Sequence, residues 1–458
     1  MKIMAKIKAK WMQGSLALVG AILASTIGFH TTAMADETCM SPYMAKIVGQ
    51  EDYVYVWTLG VEGLGDEQDK LVTISVNPNS VNYGKVVNVL SVGGRNEAHH
   101  SGLTDDRRYL FAGGLDSNKI FIFDVHTNPS KPTLHKVITD FVEKTGGMVG
   151  PHTMYALPGR ILVSALSNNV DHGGRTGLAE FTNEGEFVAA HWMPTDENMR
   201  GAKKVGNIAD GYGYDVRVLP RRNIMVTSSF TGWSNYMMDF SKMLADAEAM
   251  KRFGNTVVVW DLHTRKPKKV FEVPGAPLEI RCAWGSRNNY CLTTTALTSQ
   301  IWLIYEDDSG EWQAKAVGDI GDPSKVPLPV DISITADDQG LWVQTFMDGK
   351  TRYFDISDPF NPKQIYEHVI GSQVNMISQS WDGKRTYFTS SLLGNWDKTG
   401  ESDEQFFKLF KWNGEELVHE FTVDFYALKL GRAHQMRFGA YSLYSQKSNS
   451  TGTLLSQR

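Results

Sequence analysis

The chain has 458 residues, 42% hydrophobic and 21% charged, a composition typical of globular proteins. This length exceeds the usual size of one hydrophobic core, so we expect two domains or one large repeat architecture. The net charge of −5 arises from interspersed acidic and basic residues, which argues against a nucleic-acid-binding face.

Residues 1–35 have the pattern of a secretory signal peptide. Four lysines precede Trp11, an apolar run follows at residues 16–29, and Ala33-Met34-Ala35 offers a small-x-small cleavage site. An uncleaved membrane anchor is the alternative, but the apolar run is short for a bilayer span. We therefore expect cleavage before Asp36, export to a bacterial periplasm, and no membrane attachment of the mature protein.

From residue 50 onward, the sequence indicates short strands separated by turns, in keeping with its 42 glycines and 11% aromatic residues. The predicted strands are residues 53–59, 70–76, 86–92, 108–112, 119–125, 160–165, 177–181 and 187–191. Residues 237–250 have helical propensity and no turn residues, which predicts a short helical insertion between strands. The methionines of this insertion are expected to pack rather than to bind metal.

Two phrases recur along the chain. A polar turn leads into an aromatic strand at residues 104–111, 335–343 and 380–388, and an aromatic-Asp-aliphatic phrase occurs at 123–125, 260–262 and 354–356. The last two polar turns are about one propeller blade apart. Chance similarity between unrelated hairpins is the alternative. The repeats predict an all-β fold, a single β-propeller over residues 36–440 followed by a polar, disordered tail at 441–458.

Two adjacent histidines, His99 and His100, lie between Glu97 and the pair Ser101-Gly102. Neighbouring side chains on a regular strand point to opposite faces, so both imidazoles reach one centre only where the backbone bends. Two neutral imidazoles suit copper, zinc, iron or nickel. The alternative is a polar loop whose histidines bind nothing.

Other reactive side chains lie far apart in sequence. His152 and His434 can join the histidine pair if a propeller forms, because the inner strand of every blade faces one channel. Glu279, Arg281 and Asp331 lie within apolar runs, where an unpaired charge is costly, so we expect them to be paired or functional. Seven histidines are expected at the surface: His126, His135, His172, His191, His263, His368 and His419.

Three cysteines remain after the predicted cleavage site. Cys282 and Cys291 flank a turn-like segment and are either a cross-strand disulfide, which an oxidising compartment permits, or two buried thiols. The third is Cys39. The sequence contains no CxxC or CxxCH motif, so neither a redox dithiol nor a c-type haem is supported.

Several phrases resemble the selenium-binding protein / methanethiol oxidase family. They are Ala98-His99-His100-Ser101-Gly102, Leu134-His135-Lys136-Val137-Ile138, Pro277-Leu278-Glu279-Ile280-Arg281, Asp355-Ile356-Ser357-Asp358-Pro359, Asp382-Gly383-Lys384-Arg385, Ser390-Ser391-Leu392 and Ala433-His434. They follow the family's order over most of the chain. The resemblance implies a seven-bladed propeller that uses copper to convert methanethiol, oxygen and water to formaldehyde, hydrogen sulfide and hydrogen peroxide.

The resemblance also implies residue roles. His99, His100, His152 and His434 match the family's metal-binding histidines. The charged residues at matching positions are candidates for catalysis or for supporting the metal site: Glu279, Arg281, Asp331 and Arg437, with Asp215 a weaker candidate. Two positions depart from animal members, which carry a selenium-linked cysteine near Trp57-Thr58 and a second histidine near Met154-Tyr155.

Two other functions remain open at this point. A propeller can bind metal, selenium or a partner protein without catalysis, since a fold alone confers no chemistry. A calcium-dependent propeller hydrolase needs an oxygen-rich site, whereas the candidate site is rich in nitrogen. The sequence leaves open the true substrate, the number of copper ions, the oligomeric state and selenium binding.

Overall fold

The structure, a computed structural model, describes residues 37–47, 49–195, 208–285 and 287–441. In this part of the chain, 28 strands form seven four-stranded antiparallel sheets, the blades of a β-propeller. The predicted all-β propeller with seven blades is therefore confirmed. The predicted signal peptide and all of the predicted tail except Tyr441 lie outside the described residues.

The strands follow the chain from blade to blade. Blade 1 contains β1 (Tyr53–Leu59), β2 (Lys70–Ser75) and β3 (Val86–Ser91). Blade 2 contains β4 (Ala98–Leu103), β5 (Tyr109–Gly114), β6 (Lys119–Asp124) and β7 (Thr133–Ile138). Blade 3 contains β8 (Met148–Leu157), β9 (Arg160–Asn168), β10 (Gly177–Thr182) and β11 (Phe187–Trp192). Blades 4 and 5 contain β12 (Val216–Leu219), β13 (Ile224–Thr227), β14 (Thr256–Asp261) and β15 (Lys266–Glu272); β16 (Pro277–Cys282), β17 (Tyr290–Thr295), β18 (Gln300–Glu306) and β19 (Trp312–Asp319). Blades 6 and 7 contain β20 (Pro329–Ile334), β21 (Gly340–Thr345), β22 (Lys350–Asp355) and β23 (Lys363–Val369); β24 (Ile377–Gln379), β25 (Arg385–Thr389), β26 (Phe406–Trp412) and β27 (Leu417–Asp424).

The last strand, β28 (Arg432–Gly439), closes the propeller by joining blade 1. It pairs antiparallel with β1, with Phe438 opposite Val54 and Ala433 opposite Thr58. The last strand thus lies beside the first, as a closed propeller requires.

The repeated phrases occupy equivalent positions in different blades. The three polar turns join the innermost strand to the second strand in blades 2, 6 and 7. In each, a hydroxyl donates to an aspartate two residues later, at 2.7 Å for Thr104–Asp106 and 2.6 Å for Thr335–Asp337. The aromatic-Asp-aliphatic phrases end the third strands of blades 2, 4 and 6. The predicted repeat is therefore real.

The predicted helical insertion is present between β13 and β14, but it is broken. It consists of α2 (Trp233–Tyr236), α3 (Phe240–Ala245) and α4 (Ala247–Met250), while α1 (Phe141–Thr145) precedes blade 3. Asp239 and Asp246 each accept backbone N–H groups and start a new helix. None of the helices in the described part of the chain is long and apolar enough to cross a membrane.

Burial separates the inner strands from the outer ones. Every residue of β4, β8 and β28 is buried, whereas β3 and β7 are largely half-buried or exposed.

A disulfide joins Cys282 to Cys291 across β16 and β17, which settles the alternative that the sequence left open.

Candidate metal centre

A β-bulge brings His99 and His100 to the same centre. In the pairing of β4 with β5, Ala98 lies opposite Gly114 and Ser101 opposite Ala112, so β4 holds one extra residue. Both histidines lie inside this bulge, and Glu97, two residues before His99, has a φ of +57°. The bend that the sequence required is present, and it lies in a buried strand rather than in a polar loop.

The same bulge occurs in the two other inner strands that carry candidate histidines. It lies in β8 around His152 and in β28 around His434. Gly102 allows β4 to approach β8 closely, because a Cβ there would lie 2.0 Å from the Met154 carbonyl oxygen. Three inner strands therefore present histidines to one point in the channel.

The four predicted histidines form a single buried cluster. The ring centroids are 3.8 Å apart for His99 and His434, 3.9 Å for His100 and His152, and 4.8 Å for His99 and His152. One ring nitrogen from each of His99, His100 and His152 lies within 4.8 Å of the others. At this spacing the rings can share one metal ion.

The cluster offers unbonded nitrogen atoms to such an ion. His152 Nδ1 lies 3.1 Å from the Tyr214 carbonyl oxygen and His434 Nδ1 lies 2.8 Å from that of Ser391, so both Nδ1 atoms donate and both Nε2 lone pairs are free. Among the described residues, one buried ring nitrogen of each histidine lacks a hydrogen-bond partner: His99 Nδ1, His100 Nε2, His152 Nε2 and His434 Nε2. Copper, zinc, iron and nickel accept such a donor set.

Burial keeps these imidazoles neutral. It lowers the pKa of His152 to about 4 and that of His434 to about 3. Burial, followed by the neighbouring imidazoles, also lowers the pKa of His99 and His100 well below the usual range. Neutral rings at physiological pH are the form that binds a metal ion.

The predicted charged residues form a network centred on Arg281. Its guanidinium donates to Glu279 Oε2 at 2.8 Å, to Asp331 Oδ1 at 2.8 Å and to Asp215 Oδ2 at 3.3 Å. Arg217, which the sequence analysis did not single out, donates to Asp215 and to Glu279. Buried carboxylates and guanidiniums thus compensate one another, as their position in apolar strands required.

Glu279 links this network to the histidines. Its Oε1 lies 3.5 Å from His100 Nε2, and neither atom has a hydrogen-bond partner among the described residues. Although burial opposes its ionisation, the guanidiniums of Arg281 and Arg217 lower the pKa of Glu279 to about 2. Burial raises the pKa of Asp331 to about 6 despite Arg281, so this carboxyl can exchange a proton near neutral pH.

An N-terminal segment, residues 37–44, lies across the end of the network that is remote from the histidines. Glu37 accepts the Phe438 N–H at 2.9 Å and lies 3.8 Å from Arg437. Thr38 donates its N–H to the Gln379 carbonyl and shares a hydrogen bond with the Ser333 hydroxyl. Arg437, predicted to support the site, therefore pairs with a residue that sequence reasoning did not find.

An apolar chamber lies at the other end of the cluster. His99 and Tyr214 border it, and leucine, valine, alanine, methionine and aromatic side chains form the remaining wall. Strand β16 connects the apolar chamber with the charged network. Leu278 lines the chamber, Glu279 approaches His100, and Arg281 lies near the N-terminal segment, residues 37–44. The histidines therefore separate an apolar region from a charged one.

The remaining histidines of the described chain contribute no further candidates. None of the seven that were predicted at the surface is buried: four are exposed and three are half-buried. A sequence signal for Arg217 existed, since Asp215-Val216-Arg217 repeats the acid-x-Arg pattern of Glu279-Ile280-Arg281 in the next blade.

Comparison with known proteins agrees with this architecture. A protein of Ruegeria pomeroyi named methanethiol oxidase is 67% identical over 429 residues, which cover 93% of this chain and 98% of the relative. One of the same name from Hyphomicrobium sp. is 58% identical over 426 residues, covering 92% and 95%. The crystal structure of a hypothetical selenium-binding protein from Sulfolobus tokodaii matches with a TM-score of 0.72 and 26% identity, covering 85% of this chain and 94% of that one. The family model described as 56kDa selenium binding protein (SBP56) matches residues 33–442, and the chain belongs to this family.

Proposed function

We propose that this protein is a copper-dependent methanethiol oxidase. The observation that carries the proposal is the cluster of four buried imidazoles, each with an unbonded ring nitrogen, beside an apolar chamber. The names of the two bacterial relatives, at 67% and 58% identity, support the substrate. The reaction would convert methanethiol, oxygen and water to formaldehyde, hydrogen sulfide and hydrogen peroxide.

Copper fits the donor set and the chemistry. When bound, copper would react with oxygen in one-electron steps and would bind the thiolate sulfur as a soft ligand. Zinc has no redox activity and could not supply the first of these. In the balanced reaction, the methyl carbon loses two electrons, and its bonds to sulfur and to one hydrogen are replaced by a double bond to an oxygen from water. The sulfur leaves as hydrogen sulfide, and molecular oxygen takes up two electrons and two protons to become hydrogen peroxide. His99, His100, His152 and His434 are the residues that would hold the ion.

The other residues would bind, orient and transfer protons. The chamber would receive the apolar methyl end of the thiol, since its wall is almost wholly apolar. Glu279, held ionised by Arg281 and Arg217, would place a negative charge 3.5 Å from the His100 nitrogen that would bind the ion. Asp331, with a pKa raised to about 6 by burial, would take up or release a proton, and Arg281 would hold this carboxyl in position.

The direct test combines copper analysis with oxygen uptake. The purified protein should contain copper, consume oxygen when methanethiol is added, and release formaldehyde, sulfide and peroxide in equal amounts. Removal of copper should stop uptake, and its return should restore it. A folded, copper-loaded protein that consumes no oxygen with any small thiol would instead be a non-catalytic metal- or selenium-binding propeller.

We also propose that the protein is exported to the periplasm. The proposal rests on the basic, apolar and small-residue pattern of residues 1–35. N-terminal sequencing of protein released by osmotic shock should begin at Asp36. Recovery of the chain only from the cytosol, with its first 35 residues intact, would contradict export.

A further inference from the structure

We propose that the apolar chamber beside His99 holds the carbon end of the thiol, and that Met243 sets the size of the largest thiol that fits. The inference rests on the proposed oxidase function and extends it. It assigns the substrate site, gives the helical insertion of blade 4 a role, and restricts the substrate class to the shortest alkanethiols.

The size of the chamber matches a very small ligand. It offers about 20 Å³ to the centre of a water-sized molecule, little more than the ~10–15 Å³ that one water requires. Its wall comes from the inner strands through Leu278 and Val330, from the insertion through Phe240 and Met243, and from the β25–β26 connection through Trp396. A thiol with its sulfur towards the histidines would place its carbon against these side chains.

The insertion forms a roof across the channel. Trp396 Nε1 donates to the Met238 carbonyl at 3.1 Å, and Asn395 Nδ2 donates to the Met237 carbonyl at 3.3 Å. The rings of Phe240 and Trp396 are 5.1 Å apart. Because these contacts join blade 4 to blade 7, the roof closes the chamber on the side away from the charged network.

Met243 is the residue of the roof whose role can be tested against a neighbour. It is fully buried and lines the chamber, whereas Leu244, next to it on α3, is 43% exposed. One additional methylene in an apolar enzyme pocket changes selectivity by about 10–200-fold. Shortening Met243 should therefore admit a longer thiol, and shortening Leu244 should not.

The experiment compares oxygen uptake with methanethiol and ethanethiol for the wild-type protein, Met243→Ala and Leu244→Ala. In Met243→Ala the ratio of kcat/KM for ethanethiol to that for methanethiol should rise at least about tenfold, while Leu244→Ala should keep the wild-type ratio. If Met243→Ala does not fold, Leu297→Phe narrows the same chamber and should raise the KM for methanethiol with copper content unchanged. An unchanged ratio in Met243→Ala, or an unchanged KM in Leu297→Phe, would overturn the inference and leave the oxidase function standing.

A second measurement does not depend on turnover. Protein as purified, labelled with ¹³C at the methionine methyl groups, is titrated with methanethiol under nitrogen, and the Met243 signal is identified by its absence from Met243→Ala. The Met243 signal should shift, and that of Met237, which is 42% exposed on the same insertion, should not. If the wild-type protein oxidises no thiol, the proposed function fails, and this titration alone tests whether the chamber binds the thiol. The absence of a shift at Met243 would overturn the proposed binding site.

Discussion

The two ends of the channel, one apolar and one charged, are built from neighbouring residues of the same strands. Five inner strands, β4, β8, β16, β20 and β28, carry a β-bulge with two successive residues at the shift in register. The first bulge residues are His99, His152, Leu278, Val330 and His434, and the second are His100, Thr153, Glu279, Asp331 and Gln435. A one-residue step therefore separates the chamber-lining Leu278 and Val330 from the charged Glu279 and Asp331. In β4, by contrast, both residues of the bulge, His99 and His100, belong to the histidine cluster.

The largest effect is expected at the boundary between the two ends. Replacing His434 by Ala removes one of the four unbonded nitrogens. Mutating a group that merely orients a metal ligand typically lowers metal affinity or activity ~10–100-fold, so we expect copper content and oxygen uptake to fall by at least this factor. Copper analysis and circular dichroism would measure occupancy and folding. His419→Ala, at an exposed position, is the control and should retain copper. Full occupancy in His434→Ala would refute a shared site.

Breaking the charged end should cost stability. Arg281→Met leaves Glu279 and Asp331 without their shared guanidinium, and removing one partner of a buried ion pair costs about 3–5 kcal/mol in the free energy of unfolding. Urea unfolding would measure the loss. Arg95→Met breaks an exposed pair with Glu62 and should cost about 0–1 kcal/mol. Equal losses in the two variants would contradict the buried network.

Damage to the apolar end should separate stability from metal binding. Leu278→Ala leaves a cavity in the chamber wall and should cost about 2–5 kcal/mol, with copper content unchanged because no ligand is touched. Leu428→Ala, at a position that is 54% exposed, should change the free energy of unfolding by less than about 0.5 kcal/mol. Loss of copper in folded Leu278→Ala would mean that the two ends are not independent.

The smallest effect is expected at the N-terminal segment. Glu37→Gln keeps the shape but removes the charge beside Arg437 and weakens the hydrogen bond from the Phe438 N–H. We expect a loss of about 1–3 kcal/mol in urea unfolding, against little change in Glu62→Gln, whose side chain is 78% exposed. An unchanged free energy of unfolding in Glu37→Gln would show that the N-terminal segment does not compensate the charge of Arg437.

The sequence predicted much of this fold because blade hairpins carry local signals. The polar turn at Thr104 and its repeats, and the strand at residues 53–59, need only neighbouring residues to form. A propeller allows the four histidines to meet in its channel, but only the resemblance assigned them to one metal site, since spacing cannot show which distant strands meet. Glu37 and the chamber were missed because they depend on contacts between segments far apart in sequence. The single helical insertion was predicted as a unit, but the N-caps Asp239 and Asp246 divide it.

The central claim is that four histidines from three inner strands hold one copper ion. Anomalous diffraction at the copper absorption edge, from crystals of the protein as purified, tests it most directly. We predict a single strong peak bounded by His99, His100, His152 and His434. A peak elsewhere, for example beside the buried thiol of Cys39, or no copper peak in protein that oxidises methanethiol, would contradict the account.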